Sequence, residues 1–220
     1  MPTPSQTRQG IIFDLDGTLI DSAADIAASV NTCFAVRGWP RQDVAFVARH
    51  IGRGTRRLLH DLLQALHLPQ DETTLAAAVA DYLVAYHSAP VRHTRLYPHV
   101  AEDLHALHAA GLVLGICTNK PQAITDKVLH ALGIRHHFAA VVGADSVPAC
   151  KPDPQHLLAT AQRMGVPAGR CLYVGDSAVD QNTARVAGIP FYAVAWGSAA
   201  ALCLPAARCL RRLGDLLEKR

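Results

Sequence analysis

Lysine is scarce in this 220-residue chain: Lys120, Lys127, Lys151 and Lys219 are all there is, and none falls between residues 22 and 91. A formal net charge of +3 is too small to mark a nucleic-acid binder. The six cysteines (Cys33, Cys117, Cys150, Cys171, Cys203, Cys209) form no CxxC pair and no disulfide-framework spacing. Packed, reduced thiols of a cytoplasmic protein are therefore expected. Cys150, beside Lys151, has no histidine in an obvious triad and reads as structural. Residues 1–10 lack an apolar core, so no signal peptide is expected. The longest apolar-looking stretch, 193–204, is broken by Gly197 and is too short to span a bilayer. No GxxxxGK[ST] loop occurs, and Gly52-Arg53-Gly54 lacks the third glycine of a dinucleotide fingerprint, which argues against a nucleotide cofactor. There is no internal repeat and no low-complexity segment.

What is present is a globular composition, half hydrophobic and only 18% charged, long enough for one large domain or a core with an insertion. The chain is organised around Ile11-Ile12-Phe13-Asp14-Leu15-Asp16-Gly17-Thr18. The apolar run suits a strand buried on both faces. If the backbone stays extended, Asp14 and Asp16 project to one side and Leu15 to the other. Asp and Gly are also common in surface turns. At a strand end, though, two adjacent carboxylates repel, and a divalent cation relieves the repulsion; oxygen-only ligands suit Mg²⁺.

Asp21 or Ser22 can cap a helix over 23–36 that stops at Gly38. A short helix over 42–50 follows, and Gly52-Arg53-Gly54 opens another. There Leu58, Leu59, Leu62, Leu63 and Leu66 recur at helical spacing, leaving Arg53, Arg57, His60, Gln64 and His67 on the opposite side. A helix over 72–87 closes an all-helical block.

From Tyr97-Pro98 onward helices alternate with strands, which predicts a parallel sheet covered on both faces. Strands are expected at 113–117, 138–142, 171–174 and 190–195. Helices are expected over 99–110, from Pro121 to Gly133, from Asp153 to Met164, from Ser177 to Val186, and at 210–217. His105 and His108 are spaced i,i+3 and could bind zinc, but with no third ligand nearby they read as a solvated helix face, as do His136-His137.

Ligands of open α/β sheets bind beyond the carboxyl ends of the strands. Asp14, Asp16, Thr118, Lys151, Asp176 and Asp180 all follow expected strands, so they can converge. Carboxylates can hold Mg²⁺, Lys151 offsets negative charge, and the Thr118 hydroxyl and loop amides can bind phosphate oxygens.

These segments resemble the four motifs of the haloacid dehalogenase superfamily of phosphohydrolases. Asp14-Leu15-Asp16-Gly17-Thr18 matches the first, Thr118 after an apolar strand the second, Lys151-Pro152 the third, and Gly175-Asp176-Ser177 with Asp180 the fourth. The agreement in order covers nearly the whole chain. The resemblance implies an α/β fold: a Rossmann-like parallel-sheet core, residues 1–21 and 92–220, with a helical cap, residues 22–91, inserted after the first strand. It implies that Asp14 attacks phosphorus and that Asp16 serves as general acid and base. Thr118, Asn119 and Lys151 would bind the substrate, its phosphoryl group above all. Mg²⁺ would be held by Asp14, Asp176 and the Asp16 main-chain carbonyl, with Asp180 orienting Lys151 or metal-bound water.

Retention of Asp16 points to phosphoryl transfer, since a carbon–halogen bond needs no protonated leaving group. The lysine-free block argues against phosphonoacetaldehyde hydrolases and sugar-phosphate mutases, which are similar in layout but use a cap lysine. The wording of Phe13 to Ser22, of Ile51-Gly52-Arg53-Gly54 and of Lys151-Pro152-Asp153-Pro154 looks like the phosphoglycolate phosphatase group. The expected partner is a small phosphorylated metabolite, with no nucleic acid and no membrane, in a monomer or homodimer. Arg53 is the expected group for a substrate carboxylate. Alternatives are a phosphatase for another sugar phosphate (such as N-acetylmuramate 6-phosphate), an inorganic pyrophosphatase, or a silent binding module on the same fold.

Overall fold

The computed structural model describes residues 9–197, 202 and 204–218. Residues 1–8 of the leading segment read for a signal peptide, part of the apolar stretch 193–204, Cys203 and Lys219 lie outside the described residues. Among the described residues, no helix is long and apolar enough to cross a membrane.

Six parallel strands form the central sheet: β1 (Gly10–Phe13), β4 (Val113–Cys117), β5 (Phe138–Val142), β6 (Cys171–Gly175), β7 (Phe191–Val194) and β8 (Cys209–Leu210). Their order is β5-β4-β1-β6-β7-β8. Ile12 lies opposite Gly115 on β4 and Tyr173 on β6, so β1 is flanked on both edges. Ile11 and Phe13 pack into one apolar cluster and Ile12 into the other, as period-two alternation requires. At 1% exposure or less, these three side chains contribute roughly 1.5–3 kcal/mol each relative to exposure. That burial anchors a strand whose next residue is a buried carboxylate.

Helices α5 (Val100–Ala109) and α6 (Gln122–Ala131) cover one face, and α7 (Pro154–Arg163) and α8 (Ala178–Ala187) the other. Asp153 caps α7 by accepting from the Gln155 N–H, with Pro154 in the first turn. Ser177 and Asp180 form a reciprocal capping box on α8.

Between β2 (Ile20–Asp21) and β3 (Arg95–Leu96) run the helices α1 (Ala23–Val36), α2 (Val44–Ala48), α3 (Thr55–Ala65) and α4 (Glu72–Ser88). The expected leucine face of α3 is there: Leu58, Leu59, Leu62 and Leu63 are buried, while Arg57 and Gln64 are exposed. Strands β2 and β3 pair antiparallel, so the chain enters and leaves the helical segment side by side. Two residues each are too short for an alternation signal, and the ribbon was invisible in the sequence.

Asp25, in the first turn of α1, locks that crossing. Its carboxylate accepts from the His93 N–H at 2.9 Å, the Thr94 N–H at 2.8 Å and the Thr94 hydroxyl at 2.7 Å. Burial alone would raise its pKa, but the bonds from Thr94 and His93 outweigh burial and hold it below the usual carboxylate value. A lowered folded-state pKa stabilises the fold above the unfolded value of about 3.9 and is lost as pH falls through the folded value. Asp25→Asn is therefore expected to cost about 1.5–3 kcal/mol at neutral pH. Urea midpoints should show that difference shrinking in acid; an undiminished difference below about pH 3 would contradict the assignment.

Two expectations are corrected. The tail is not a helix over 210–217: Leu210 pairs with Val194 as β8, and only 3-10 turns follow over Leu213–Glu218. The backbone there completes the sheet edge, with Ala195 N–H donating to the Leu210 carbonyl. Nor are all four central histidines solvated, because His137 is buried against the rings of His105, His108 and His136.

Candidate active site

The first loop leaves β1 in a tight turn in which the Leu15 carbonyl accepts from the Thr18 and Leu19 N–H groups. Gly17 sits at φ +85°, and a Cβ there would stand 2.5 Å from Asp176 Oδ2. Only glycine lets this turn close on the loop after β6. Leu15 is fully buried, whereas Asp14 and Asp16 both line one cavity, the division expected from extended backbone.

Lys151 comes from the loop after β5, with its ammonium buried. Its three N–H bonds find three partners: Asp14 Oδ1 at 2.8 Å, Asp180 Oδ1 at 2.7 Å and the Tyr173 hydroxyl at 2.8 Å. Tyr173 in turn donates to Asp180 Oδ1 at 2.7 Å. The loop is fixed by His156, whose Nδ1 accepts from the Lys151 N–H at 3.3 Å while Nε2 faces the Val142 carbonyl at 3.1 Å. Burial, then the Lys151 charge, push His156 down to about 4, so it stays neutral with its proton on Nε2.

Asp14, Asp176 and Asp180 bring carboxylate oxygens within 4.8 Å of one another. Three carboxylates against one ammonium leave two negative charges in a buried place. Burial, with Asp180 and Asp176, raises Asp14 to about 8 although Lys151 opposes the shift. Burial also works against the Asp180 anion, but Lys151, Ser177 and Tyr173 overcome it and hold Asp180 low. On Lys151, Asp14 and Asp180 outweigh burial and keep the ammonium charged. The Asp180–Lys151 pair is thus self-sufficient, and Asp14 and Asp176 carry the excess. A hard dication fits that deficit and that donor set.

Thr118 follows β4, buried, with its hydroxyl accepting from the Lys120 N–H at 3.2 Å. Asn119 ties three segments together, donating to the Lys151 carbonyl at 2.9 Å and to the Gly52 carbonyl at 3.1 Å. Its Oδ1 is buried and has no hydrogen-bond partner among the described residues. Lys120 was not among the residues singled out from the sequence. It donates to Asp16 Oδ1 at 2.7 Å and lies 4.7 Å from the Tyr86 ring centre. Ser22 donates to the same oxygen at 2.5 Å. The available signal was weak: a lysine two residues past Thr118 in a lysine-poor chain.

The cavity over Asp14 and Asp16 has a volume of about 40 Å3. Thr118, Asn119 and Lys120 line it from the sheet side, and Ile51, Gly52, Leu58, Tyr82 and Tyr86 from the helical segment. Arg53 does not line it. Its half-exposed guanidinium lies 3.8 Å from Asp61 in a wider outer concavity of about 730 Å3, alongside Arg56 and Arg57.

A doubly wound sheet with this cluster at its carboxyl edge defines a class, and comparison with known proteins agrees. Residues 11–194 match the haloacid dehalogenase-like hydrolase family. The chain belongs to that family and is an enzyme of the phosphoric monoester hydrolase class. It is 38% identical to a phosphoglycolate phosphatase of Xanthomonas campestris pv. campestris over 86% of this chain and 84% of that protein. A phosphoglycolate phosphatase of Mesorhizobium japonicum is 39% identical over 87% and 84%. Among solved structures, a predicted phosphoglycolate phosphatase from Haemophilus somnus superposes with TM-score 0.82 at 29% identity, covering 96% of this chain and 97% of that one.

Proposed function

We propose that the chain is a Mg²⁺-dependent phosphatase acting on a small acidic organophosphate, 2-phosphoglycolate first, through an aspartyl-phosphate. The observation that carries this reading is that Asp14 and Asp16 open side by side onto one small cavity of about 40 Å3 beneath the helical segment. A two-carbon acid suits such a space better than N-acetylmuramate 6-phosphate, and the names of the relatives agree.

In this reading an Asp14 oxygen attacks phosphorus as the ester oxygen departs and takes a proton from Asp16. Asp16 then takes a proton from water, whose oxygen attacks the aspartyl-phosphate, releasing phosphate and restoring Asp14. Lys120 and Ser22 hold Asp16 through Oδ1 and fix its direction. Lys151 balances the phosphoryl charge and turns its N–H from Asp14 to a phosphoryl oxygen as Asp14 is esterified, and the Thr118 hydroxyl binds another. Asp14, Asp176 and the Asp16 main-chain carbonyl would hold Mg²⁺, which neutralises phosphate charge so that one anion can approach another. Asp180 acts by orienting Lys151. The helical segment serves as a cap that excludes water.

The test is a screen of purified protein over phosphoglycolate, sugar phosphates, pyrophosphate and nucleotides, with Mg²⁺ and with chelator. Phosphoglycolate should lead and chelator should abolish release. Full activity in excess chelator, or pyrophosphate as the leading substrate, would overturn the proposal.

Arg53 lies outside that cavity, in the neighbouring concavity, and is proposed to swing from Asp61 to grip the substrate carboxylate where it projects outwards. Its present link to Asp61 is exposed and worth at most about 1 kcal/mol, so exchanging it for a ligand costs little. Arg53→Ala is expected to lower kcat/KM for phosphoglycolate by roughly 10- to 1000-fold and to spare a neutral aryl phosphate. Equal losses on both substrates would point to cap closure instead.

A further inference from the structure

Lys120 stands where the sheet core meets the helical segment, between Thr118-Asn119 and the start of α6. Its backbone is held on both sides: the N–H donates to the Thr118 hydroxyl at 3.2 Å, and the carbonyl accepts from the Ala144 N–H at 3.1 Å. The side chain, 2% exposed, leaves this fixed loop and ends 2.7 Å from Asp16 Oδ1. Over the same ammonium lies the ring of Tyr86, on α4, with its centre 4.7 Å from Nζ. The end of α4 is tied to the core one residue further on, where the Lys127 ammonium donates to the His87 carbonyl at 3.1 Å.

A buried ammonium is costly unless it is paired. Here a carboxylate and the negative face of an aromatic ring share that task, and the ring's attraction is stronger in so dry a place than at a surface. The two partners come from different parts of the chain, Asp16 from the loop after β1 and Tyr86 from the helical segment. Tyr86 is 1% exposed and lines the same cavity as Asp14 and Asp16. Its hydroxyl has no hydrogen-bond partner among the described residues, so the ring is what it brings to Lys120. Ser22 donates to Asp16 Oδ1 as well, which leaves Oδ2 to exchange protons.

We propose that Tyr86 and Lys120 are positioning residues for Asp16, through which the helical segment aims the general acid of the reaction as well as covering it. The role rests on the mechanism above, in which Asp16 gives a proton to the departing ester oxygen. Tyr86 holds the ammonium, the ammonium holds Oδ1, and Oδ2 is presented to that oxygen. Neither residue needs to touch the phosphoryl group. Weakening the set therefore slows esters whose leaving oxygen requires a proton and has little effect on those whose leaving oxygen does not.

The test is kcat/KM, which reports transfer to Asp14, for phosphoglycolate, phenyl phosphate and 4-nitrophenyl phosphate, whose leaving oxygens are progressively less basic. Lys120→Met should lower it roughly 100-fold for phosphoglycolate and Tyr86→Leu roughly 10-fold, each a part of the roughly 10²- to 10⁴-fold that general acid catalysis supplies. For 4-nitrophenyl phosphate both losses should stay under about threefold, with phenyl phosphate between. Tyr86→Phe keeps the ring and should recover most of what Tyr86→Leu loses. In the double variant Tyr86→Leu should cost nothing beyond Lys120→Met, because the ring acts through the ammonium. Circular dichroism checks that each protein is folded; if Lys120→Met does not fold, Tyr86→Leu against Tyr86→Phe decides alone. Losses graded by leaving group and recovered by the ring support the role. Equal losses on all three esters, additive losses, or a Tyr86→Phe as slow as Tyr86→Leu overturn it while leaving the phosphatase reading in place. Wild type that releases no phosphate from any of the three, or releases it in excess chelator, overturns that reading and this role with it.

Discussion

Asp14→Asn is expected to lower turnover by about 10⁴-fold or more while leaving the fold intact. In the proposed mechanism the amide keeps the shape but removes the anionic oxygen that would attack phosphorus, and it removes one of the three clustered carboxylates. The structure separates that loss from misfolding. Asp14 is forced up to about 8 by burial and by Asp180 and Asp176, so its folded-state pKa lies above its unfolded one. A raised carboxylate disfavours the fold above the unfolded value of about 3.9, and a neutral residue removes that cost. In chelator the Asn variant should therefore be at least as stable as wild type, with Lys151 still paired to Asp180. Near wild-type phosphate release from this variant, purified free of other phosphatases, would falsify the covalent mechanism.

Lys151→Met should fail in the opposite way, in stability as well as rate. The ammonium is buried and compensates Asp14 and Asp180 together. Removing one member of a buried charge pair leaves the other unpaired and costs about 3–5 kcal/mol. Urea unfolding in chelator should register that loss. Adding Asp180→Asn should recover part of it, because the neighbours share one network and their effects are not additive. Wild-type stability in Lys151→Met would mean that the pair contributes nothing to the fold.

Local signals made most of this architecture readable. The apolar run before Asp14 marks a strand buried on both faces, and the alternation after Tyr97 marks a parallel sheet; the strand expected at 138–142 is Phe138–Val142. Signals that depend on long separations were not readable. Asp16 meets Lys120 across 104 positions, and Asp25 meets Thr94 across 69. His108 and His137 each looked solvated beside their own sequence neighbours, and only the packing of α5 against the turn before β5 brings them together. Arg53 was read from the glycines around it. Those glycines do approach the sheet, but the side chain turns to Asp61, a choice that backbone signals do not encode.

The β2–β3 ribbon bears on how such an enzyme changes over generations. Ile20 lies opposite Leu96 and Asp21 opposite Arg95, so the two junctions of the helical segment are one strand spacing apart, about 5 Å. A recombination event that swaps everything between those junctions leaves the order of the six sheet strands untouched, along with Asp14, Thr118, Lys151 and Asp176. New segments of different length can enter the same socket provided that they cover the apolar residues against which the present helices pack. Selection can then trial new substrate preferences against an inherited reaction, instead of reinventing both at once.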